Sequence, residues 1–397
     1  MEPSFHDFVK KGDAIFRDKS VLSPHYVPDS IVHRDAELRK LMSCIAPVMQ
    51  GKKPTNALIY GKTGSGKSIC AKKVLQKLLE VKEASTQGVY LNCRVYDSRY
   101  KIVQTALSKF DEAIAKTGFS FSILYEKLLD ILEKNSTHLI LVLDEVDVVK
   151  DLDSLVYTLT RVNDELKKGS VSMIGISNKL TFKQKLDQRS RSSLCEDEIV
   201  FSPYNALQLQ AILLQRVPLA FHDNCVEPSA LNLAAAIAAG ENGDARYALT
   251  LLLRAGELAL SKNATKVGDK DVEAARLAAD EDKARELISG LPEHLQLVLY
   301  ALAIVSQDVQ YKKLIEDDGE KLYFSGEVYD RYVAMCKKMG KEPRTARWYR
   351  EYLHELETLG LLVSVHSGKG IRGQATLIKP VYAADKIRKI IEENLVV

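Results

Sequence analysis

The sequence predicts an α/β protein of three domains: a parallel αβα sandwich, a helical domain, and a C-terminal domain of helices with a β-hairpin. Three observations support this order. Apolar strand-like runs alternate with helical patterns up to about residue 201, helical patterns without strands follow, and two strand patterns flank a glycine-rich turn near the C terminus. The predicted domain boundaries are 1–201, 202–284 and 285–397.

The composition predicts a soluble, intracellular globular protein. Its 397 residues suffice for two or three domains, at roughly 150 residues each. No apolar run approaches the roughly 18 residues that a membrane helix needs, and the N-terminal sequence lacks a signal-peptide pattern. The six cysteines form no CxxC pair, which argues against a cysteine metal site. A net charge of +3 is too small to indicate a nucleic-acid partner by itself.

A glycine-rich segment joins the first predicted strand, residues 57–60, to a long amphipathic helix. It matches the phosphate-loop pattern of a glycine, four residues and Gly-Lys-Ser at Gly61, Gly66, Lys67 and Ser68. Backbone NH groups of such a loop surround phosphate at a helix N-terminus. Lys67 would reach the β and γ phosphates, and the Ser68 hydroxyl would bind magnesium. The alternative is a glycine-rich turn that binds no ligand.

Polar residues follow two further strand-like runs. The run 139–143 ends in the acid pair Asp144 and Glu145, and Asn178 follows the next run. Ligands collect at the carboxyl ends of parallel strands. There Asp144 would hold magnesium and Glu145 would act as general base on the attacking water. Asn178 would orient that water or contact the γ phosphate. The alternative for Asp144 and Glu145 is a solvated acidic loop, and the alternative for Asn178 is a turn-forming residue without a role in binding.

The C-terminal domain carries a local excess of positive charge. Between residues 331 and 379, ten Lys and Arg stand against four acids, a balance of +6. A helix followed by a basic hairpin is the winged-helix arrangement, in which the helix enters the major groove and the wing touches phosphate or the minor groove. Basic helix faces can also be merely solvated. The candidate DNA contacts are Arg344, Thr345 and Arg347 at the start of the helix, and Lys369 and Arg372 in the hairpin turn.

These motifs resemble those of the AAA+ ATPases and, more narrowly, those of the archaeal replication initiators. The segments that carry the likeness are "YVPDSIVHRDAEL", "IYGKTGSGKS", "YLNCR", "LVLDEVD", "ISNKL", "RSRSSL" and "GDARYALTLLLRAGELA". The likeness extends from about Tyr26 to about Pro380. These initiators are related to the largest subunit of the eukaryotic origin recognition complex and to its helicase-loading partner. The resemblance implies a phosphate-loop base domain, a helical lid and a winged-helix domain.

The resemblance also assigns roles to individual residues. It implies a nucleotide pocket with two ends. The adenine end is formed by Tyr26, Val27, Pro28 and Arg34, and the phosphate end by Gly64, Ser65, Gly66, Lys67, Ser68 and Ile69. Asp144 and Glu145 become the Walker B acids. Asn178 becomes the first sensor and Arg246 the second, although a lone helix arginine is otherwise an exposed surface residue. The implied cofactors are ATP or ADP and Mg²⁺, with Ser68 and Asp144 as metal ligands.

Two features of the family are matched less closely. The arginine finger lies in a D-x-R-V-x-S-S-L pattern, and this chain has "DQRSRSSL", with Arg189 at the matching place and Arg191 close by. Ser190 replaces the usual apolar residue, so which arginine faces outward stays open. Residues 94–118 stand where the family has a helical insertion that contacts DNA. An ordinary pair of exposed helices is the alternative for that segment.

The resemblance implies an ATP-dependent DNA replication initiator. Such a protein would be a slow ATPase that binds double-stranded origin DNA and helps to load the replicative helicase. Homologous initiator subunits are further expected partners, and the expected location is the cytoplasm, at the nucleoid, without membrane association. Two alternatives remain: a nucleotide-bound DNA-binding regulator without useful ATP turnover, and a signalling ATPase whose winged helix packs internally.

Overall fold

In a computed structural model, the protein forms two compact units, Met1–Ala275 and Arg276–Val397. The structure describes residues 14–24, 26–81, 85–116, 118–194, 197–308, 315–317, 320–366 and 376–394. None of the described helices is long and apolar enough to span a membrane.

The first unit is built on a five-stranded parallel sheet. Its strands are β1 (Ala57–Gly61), β2 (Thr86–Asn92), β3 (His138–Asp144), β4 (Ser170–Ser177) and β5 (Asp197–Phe201). They lie side by side in the order β2-β3-β4-β1-β5, and all four pairings are parallel. Every residue of β3 and β4 is buried, as expected for strands covered on both faces. The segments that follow β1, β3 and β4 therefore leave the same edge of the sheet.

Helices cover both faces of this sheet. They are α1 (Asp35–Ile45), α2 (Lys67–Glu80), α3 (Arg99–Leu107), α4 (Ala113–Lys116), α5 (Phe121–Lys134), α6 (Leu152–Glu165) and α7 (Gln188–Leu194). Alternate residues of β3 enter two cores, because side chains of a strand point to opposite faces in turn. Leu139 and Leu141 pack in one core with α3, α5 and α6, whereas Ile140 and Val142 pack in the other with α1 and α2.

The predicted insertion, residues 94–118, contains the helices α3 and α4 between β2 and β3. Ser98 begins α3 by accepting a hydrogen bond from the amide of Lys101 at 3.4 Å. Ile102 and Val103 are buried in the core of the base. The insertion is therefore attached to the sheet by its own apolar face.

Four helices follow the sheet: α8 (Ala206–Ala220), α9 (Pro228–Glu241), α10 (Ala245–Ser261) and α11 (Asp269–Ser289). A capping box of Asn205 and Gln208 begins α8. The N-terminal segment also packs in this helical core, where the rings of Phe16 and Phe221 stack at 4.8 Å. Residues near the N terminus thus contribute to the core of this helical domain, the lid, although they precede the sheet in sequence.

The second unit contains helices and an antiparallel sheet. Its elements are α12 (Glu293–Gln307), β6 (Ile315–Asp317), β7 (Glu320–Phe324), α13 (Ser325–Lys338), α14 (Ala346–Thr358), β8 (Leu362–His366), β9 (Thr376–Pro380) and α15 (Ala384–Asn394). The strands lie in the order β6-β7-β9-β8. The predicted hairpin is confirmed as β8 and β9, whereas β6 and β7 were not predicted from the sequence. The hairpin turn with Lys369 and Arg372 lies outside the described residues.

Candidate functional site

The phosphate loop connects β1 to α2. Gly64 and Gly66 have φ values of 68° and 95°, in the left-handed region that glycine adopts without strain. Helix α2 begins at Lys67, whose amine donates to the carbonyl oxygens of Gly61 at 2.8 Å and Lys62 at 2.7 Å. The ammonium is therefore held inside the loop, at a helix N-terminus that favours anions.

The lid reaches this loop through the start of α10. The amide of Ala245 donates to the carbonyl oxygen of Gly64 at 3.2 Å. Asp244 caps α10, since its carboxylate accepts a hydrogen bond from the amide of Arg246 at 2.7 Å. These contacts bring Arg246, the predicted second sensor, close to the phosphate loop.

The acid pair lies at the end of β3. Asp144 is 9% exposed and accepts a hydrogen bond from the hydroxyl of Tyr90. Glu145 follows in a left-handed conformation with φ 56°, which is uncommon for a residue with a side chain and is found often at functional sites. Its carboxylate forms an ion pair with Arg94.

Asn178 directly follows β4, and in the register of β3 with β4 Asp144 lies opposite Ile176. Asn178 is therefore at the same sheet edge as the acid pair. The preceding hydroxyl, that of Ser177, donates to Asp147 at 2.9 Å, which ties the end of β4 to the turn after β3. The sheet thus brings the acids and the predicted first sensor together.

One cavity of about 290 Å³ contains most of the predicted nucleotide contacts, a size near the lower end of ligand pockets. Its walls come from the N-terminal segment, the phosphate loop, the sheet edge and the lid. The predicted residues that line it are Tyr26, Val27, Pro28, Gly64, Gly66, Lys67, Ser68, Ile69, Asp144, Glu145, Asn178 and Arg246.

Arg34 and Ser65, two other predicted contacts, do not line this cavity. Arg34 is 3% exposed, and its guanidinium donates to the carbonyl oxygens of Ser65 at 3.1 Å and Ser202 at 2.5 Å. It also lies 3.9 Å from the ring centre of Tyr204. Arg34 therefore supports the phosphate loop from behind.

Burial changes the acid–base properties of the cavity. It lowers the pKa of Lys67 to about 8, although the nearby carboxylate of Asp144 raises it in part. Burial also raises the pKa of Tyr90, and its hydrogen bond to Asp144 adds to this shift. The lysine therefore titrates near pH 8, while the tyrosine hydroxyl remains a donor.

The predicted DNA contacts of the second unit lie at the start of α14. Arg344, Thr345 and Arg347 are exposed. The backbone of Arg344 is fixed from both sides, because its amide donates to the Tyr332 hydroxyl at 3.1 Å and its carbonyl accepts from the Tyr329 hydroxyl at 3.1 Å. The opposite face of α14 is buried through Tyr349, Leu353 and Leu356.

Family models match three stretches of the chain. Residues 50–183 match an AAA domain. Residues 210–277 match a Cdc6 AAA+ ATPase-type lid domain, and residues 286–390 match a CDC6 C-terminal winged-helix domain.

Relatives of similar length match nearly the whole chain. The ORC1-type DNA replication protein 1 of Archaeoglobus fulgidus is 36% identical over 392 residues, which covers 98% of this chain and 93% of the relative. That of Sulfurisphaera tokodaii is 39% identical over 382 residues, with 96% and 94% covered. The chain belongs to the ORC1-type DNA replication proteins. A solved structure of Aeropyrum pernix ORC1 in complex with DNA is also similar, with 35% identity, a TM-score of 0.72, and 97% of this chain and 98% of that chain covered.

Membership of this family confirms the resemblance and the predicted fold class. The ORC1-type chain has an AAA+ base with a parallel sheet, a helical lid and a C-terminal winged helix. Because the AAA+ fold is a nucleotide-binding fold, the cavity between its loop and lid is the candidate nucleotide site. The domain boundaries at residues 201 and 284 and the roles of individual residues stay predictions.

The donors in the cavity fit a magnesium nucleotide. Ser68 offers a hydroxyl and Asp144 a carboxylate, the oxygen ligands that Mg²⁺ prefers. Within the described ranges, no group of three or more His, Cys, Asp or Glu could hold a metal ion.

The two arginine-finger candidates lie outside the chain's own nucleotide cavity. Arg189 and Arg191 are exposed on α7. Between them, Ser190 is 3% exposed, and its amide donates to Asp187 at 2.6 Å. Ser190 therefore takes the buried position where the family has an apolar residue, and both arginines are free to face a neighbour.

Arg216 is a cavity residue that was not predicted from the sequence. It lines the cavity from α8, is 3% exposed, and lies with its guanidinium 4.4 Å from the ring centre of Tyr26. The sequence contained a signal, because Arg216 falls at helical spacing among the apolar residues that α8 buries, Leu209, Ile212, Leu213 and Ala220. A charge at a core position of a helix often indicates a functional site.

Proposed function

We propose that this ORC1-type protein is an ATP-dependent DNA replication initiator. It binds origin duplex through the winged helix and the insertion at residues 94–118, and it helps to load the replicative helicase. It acts in the cytoplasm, at the nucleoid. The observation that carries this proposal is the convergence of Lys67, the acid pair, Asn178 and Arg246 on one cavity.

We assign nucleotide binding to residues of both the base domain and the lid. The N-terminus of α2 and the Lys67 ammonium bind the phosphates of the nucleotide, and Arg246 provides a second cation from the lid. Tyr26, Val27 and Pro28 form the adenine end. Because α10 contacts the phosphate loop directly, the nucleotide state should change the position of the lid against the base.

Hydrolysis is assigned to the sheet edge. Glu145 takes a proton from the attacking water, and Asn178 orients that water. Magnesium, held by Ser68 and Asp144, would neutralise charge on the phosphates when bound. The Tyr90 hydroxyl hydrogen bond keeps Asp144 in place.

Turnover by the isolated chain should be slow, because neither candidate finger lies in its own cavity. Arg189, or Arg191 in its place, would act on the nucleotide of a homologous subunit. Such a subunit is therefore an expected partner, and assembly would control hydrolysis.

Duplex binding is assigned to Arg344, Thr345 and Arg347 at the start of α14, and to Lys369 and Arg372 in the predicted hairpin turn. The exposed basic start of α14 supports this assignment, as does the related A. pernix ORC1 structure, which is a complex with DNA. Exposed positive charge favours contact with the phosphate backbone of DNA, and an exposed helix can enter the major groove.

A DNA-binding regulator without useful ATP turnover is the second candidate, and one observation favours it. The carboxylate of Glu145 is paired with Arg94, and this ion pair competes with the attacking water for the carboxylate. If this pair persists with nucleotide bound, the site retains ATP and does not hydrolyse it.

The two candidates are distinguished by calorimetric ATP binding and by steady-state phosphate release. Lys67→Ala should lose ATP binding, whereas Glu145→Gln should bind ATP and hydrolyse it more slowly than the parent. Lys77→Ala, an exposed lysine on the same helix, is the matched control. Equal turnover by the parent and Glu145→Gln would remove the assignment of Glu145 and favour the regulator.

A further inference from the structure

Trp348 is an exposed aromatic residue on the basic helix α14. It is the only tryptophan of the chain, and its side chain is 57% exposed. Its neighbour Tyr349 points into the core and is 4% exposed. The indole therefore lies on the solvent side of the helix, beside the residues assigned to DNA.

The indole is held in position by other aromatic rings. Its ring centre lies 6.2 Å from that of Tyr352, and Tyr352 in turn stacks on His294 with an angle of 7° between the ring planes. His294 is fixed by a hydrogen bond of 2.8 Å with the Tyr332 hydroxyl. A ring supported from behind loses little conformational entropy when a partner covers its open face.

The charges around Trp348 indicate the chemistry of that partner. Arg344, Arg347 and Arg350 are exposed on and before the same helix. A partner that carries negative charge close to a small apolar group would match these residues. Duplex DNA has this arrangement in the major groove, where phosphates flank the base edges and the C5-methyl group of thymine is the apolar element.

We propose that Trp348 contacts the C5-methyl group of thymine in the major groove and so determines part of the sequence specificity. The inference rests on the proposed function, in which α14 binds duplex DNA. The arginines then provide affinity through phosphates, and the indole adds a preference for thymine. Burial of one methyl group corresponds to about a fourfold change in affinity.

The test compares two duplexes that differ only in this methyl group, poly(dA-dT) and poly(dA-dU). Binding of the full chain is measured by fluorescence anisotropy with labelled duplexes at three salt concentrations. The parent should bind poly(dA-dT) about fourfold more tightly per contacted methyl group. Trp348→Ala should bind both duplexes with equal affinity, and its salt dependence should match that of the parent, because no phosphate contact is removed.

Arg347→Ala is the matched control on the adjacent residue. Arg347→Ala should bind both duplexes more weakly and keep the preference for thymine. The slope of its log affinity against log salt concentration should fall by the amount of about one phosphate contact. Trp348→Phe should keep part of the preference, because the phenyl ring can also meet a methyl group. Thermal unfolding of Trp348→Ala should match that of the parent, since an exposed side chain is removed.

The possible outcomes separate the inference from the function on which it rests. If Trp348→Ala keeps the full thymine preference, the preference comes from duplex shape and the inference is overturned. If Trp348→Ala loses the same factor of affinity for both duplexes, the indole contacts the DNA backbone, and the inference again fails. If neither Trp348→Ala nor Arg347→Ala changes affinity for either duplex, α14 is not the DNA-binding surface, and that part of the proposed function fails.

Discussion

Asp244 of the lid lies directly against Gly64 of the phosphate loop. A Cβ atom placed on Gly64 would come within 1.8 Å of the Asp244 carboxylate oxygen. The same carboxylate accepts the hydrogen bond from the Arg246 amide that begins α10. The loop that would hold phosphate and the helix that carries the second sensor are therefore in contact through one aspartate.

This contact predicts that Gly64→Ala impairs nucleotide binding. Gly64 has φ 68° and little space around it. The left-handed conformation alone costs an alanine about 1–2 kcal/mol, and the Cβ must displace Asp244. We expect at least a tenfold loss of ATP affinity by calorimetry, together with a lower melting temperature.

Gly240→Ala is the control for this variant. Gly240 is near the end of α9, where a Cβ would meet nothing within 4 Å. Alanine should be neutral or stabilise this helix by up to about 1 kcal/mol. Parent-like ATP affinity in Gly64→Ala would show that loop and lid separate before nucleotide binds.

The lowered pKa of Lys67 predicts that ATP affinity depends on pH. In the nucleotide-free protein this pKa is about 8, compared with the usual 10.5. Phosphate favours the charged ammonium, so above pH 8 binding must be accompanied by proton uptake. Affinity should fall by up to about tenfold per pH unit above pH 8. Calorimetry in two buffers of different ionisation enthalpy measures the proton uptake.

The free energy of unfolding should show the opposite trend. Between pH 8 and 10.5 the unfolded chain still carries the Lys67 proton, while the nucleotide-free folded chain has lost it. The unfolded state then binds more protons, so this lysine makes the folded protein more stable as pH rises through that range. Lys67→Arg is the control, because arginine does not titrate there. An ATP affinity of the parent that is flat from pH 7 to 10 would contradict the assignment of Lys67.

The ion pair of Arg94 with Glu145 predicts a faster ATPase when the arginine is removed. Arg94 has a side chain 72% exposed, so its loss should leave the melting temperature of the protein close to that of the parent. Without the guanidinium, the carboxylate of Glu145 is no longer held in an ion pair and is available to the attacking water, so phosphate release should rise while ATP affinity stays within about twofold. Arg161→Ala, which breaks exposed ion pairs on α6, is the control. A slower Arg94→Ala enzyme would mean that the arginine positions Glu145 for catalysis.

The exposed position of Arg189 predicts an effect that depends on assembly. Because Arg189 does not line the chain's own cavity, Arg189→Ala should leave ATP affinity of the isolated chain unchanged. ATP turnover of Arg189→Ala should fall only when chains associate, either at high protein concentration or on DNA. Arg191→Ala serves as the comparison, and the variant with the larger loss identifies the finger. Loss of ATP binding by isolated Arg189→Ala would exclude its action on a neighbour.

Local patterns in the sequence were sufficient for part of this site. The phosphate loop and Asp144 were predictable because each depends on a strand, a turn and a helix that are adjacent in sequence. The sheet edge followed from the rule that parallel strands end together. Strand β6 could not be predicted in this way, because 3 residues are too few to give a periodic signal. Strand β7 is as long as β8 and β9, at 5 residues each, but its partner β9 follows only after two helices and β8.

Long-range packing determines the remaining contacts. Arg34 is predicted to contact the nucleotide, and in the structure its hydrogen bonds join Ser65 of the phosphate loop to Ser202. These partners are 31 and 168 residues away in sequence, and no local pattern specifies them. The contact of Asp244 with Gly64 likewise joins two domains of the fold and became apparent only in three dimensions.

Arg216 provides the last prediction, because it is a buried cation with few partners. Its guanidinium donates to the carbonyl oxygen of Val21 at 3.4 Å and lies over Tyr26. Among the described residues its Nε has no hydrogen-bond partner, and burial lowers its pKa. A buried charge without a carboxylate is costly in free energy. An acceptor on the nucleotide would offset that cost.

Arg216→Met keeps the length of the side chain and removes the charge. The nucleotide-free variant should be as stable as the parent or more stable, because the cost of burying the cation disappears. Its ATP affinity should fall at least tenfold, and ATP should raise its melting temperature less than that of the parent. Arg216→Lys should recover part of the affinity. If Arg216→Met instead unfolds more readily and binds ATP normally, the arginine serves to tether Val21 and Tyr26 to the lid and does not contact the nucleotide.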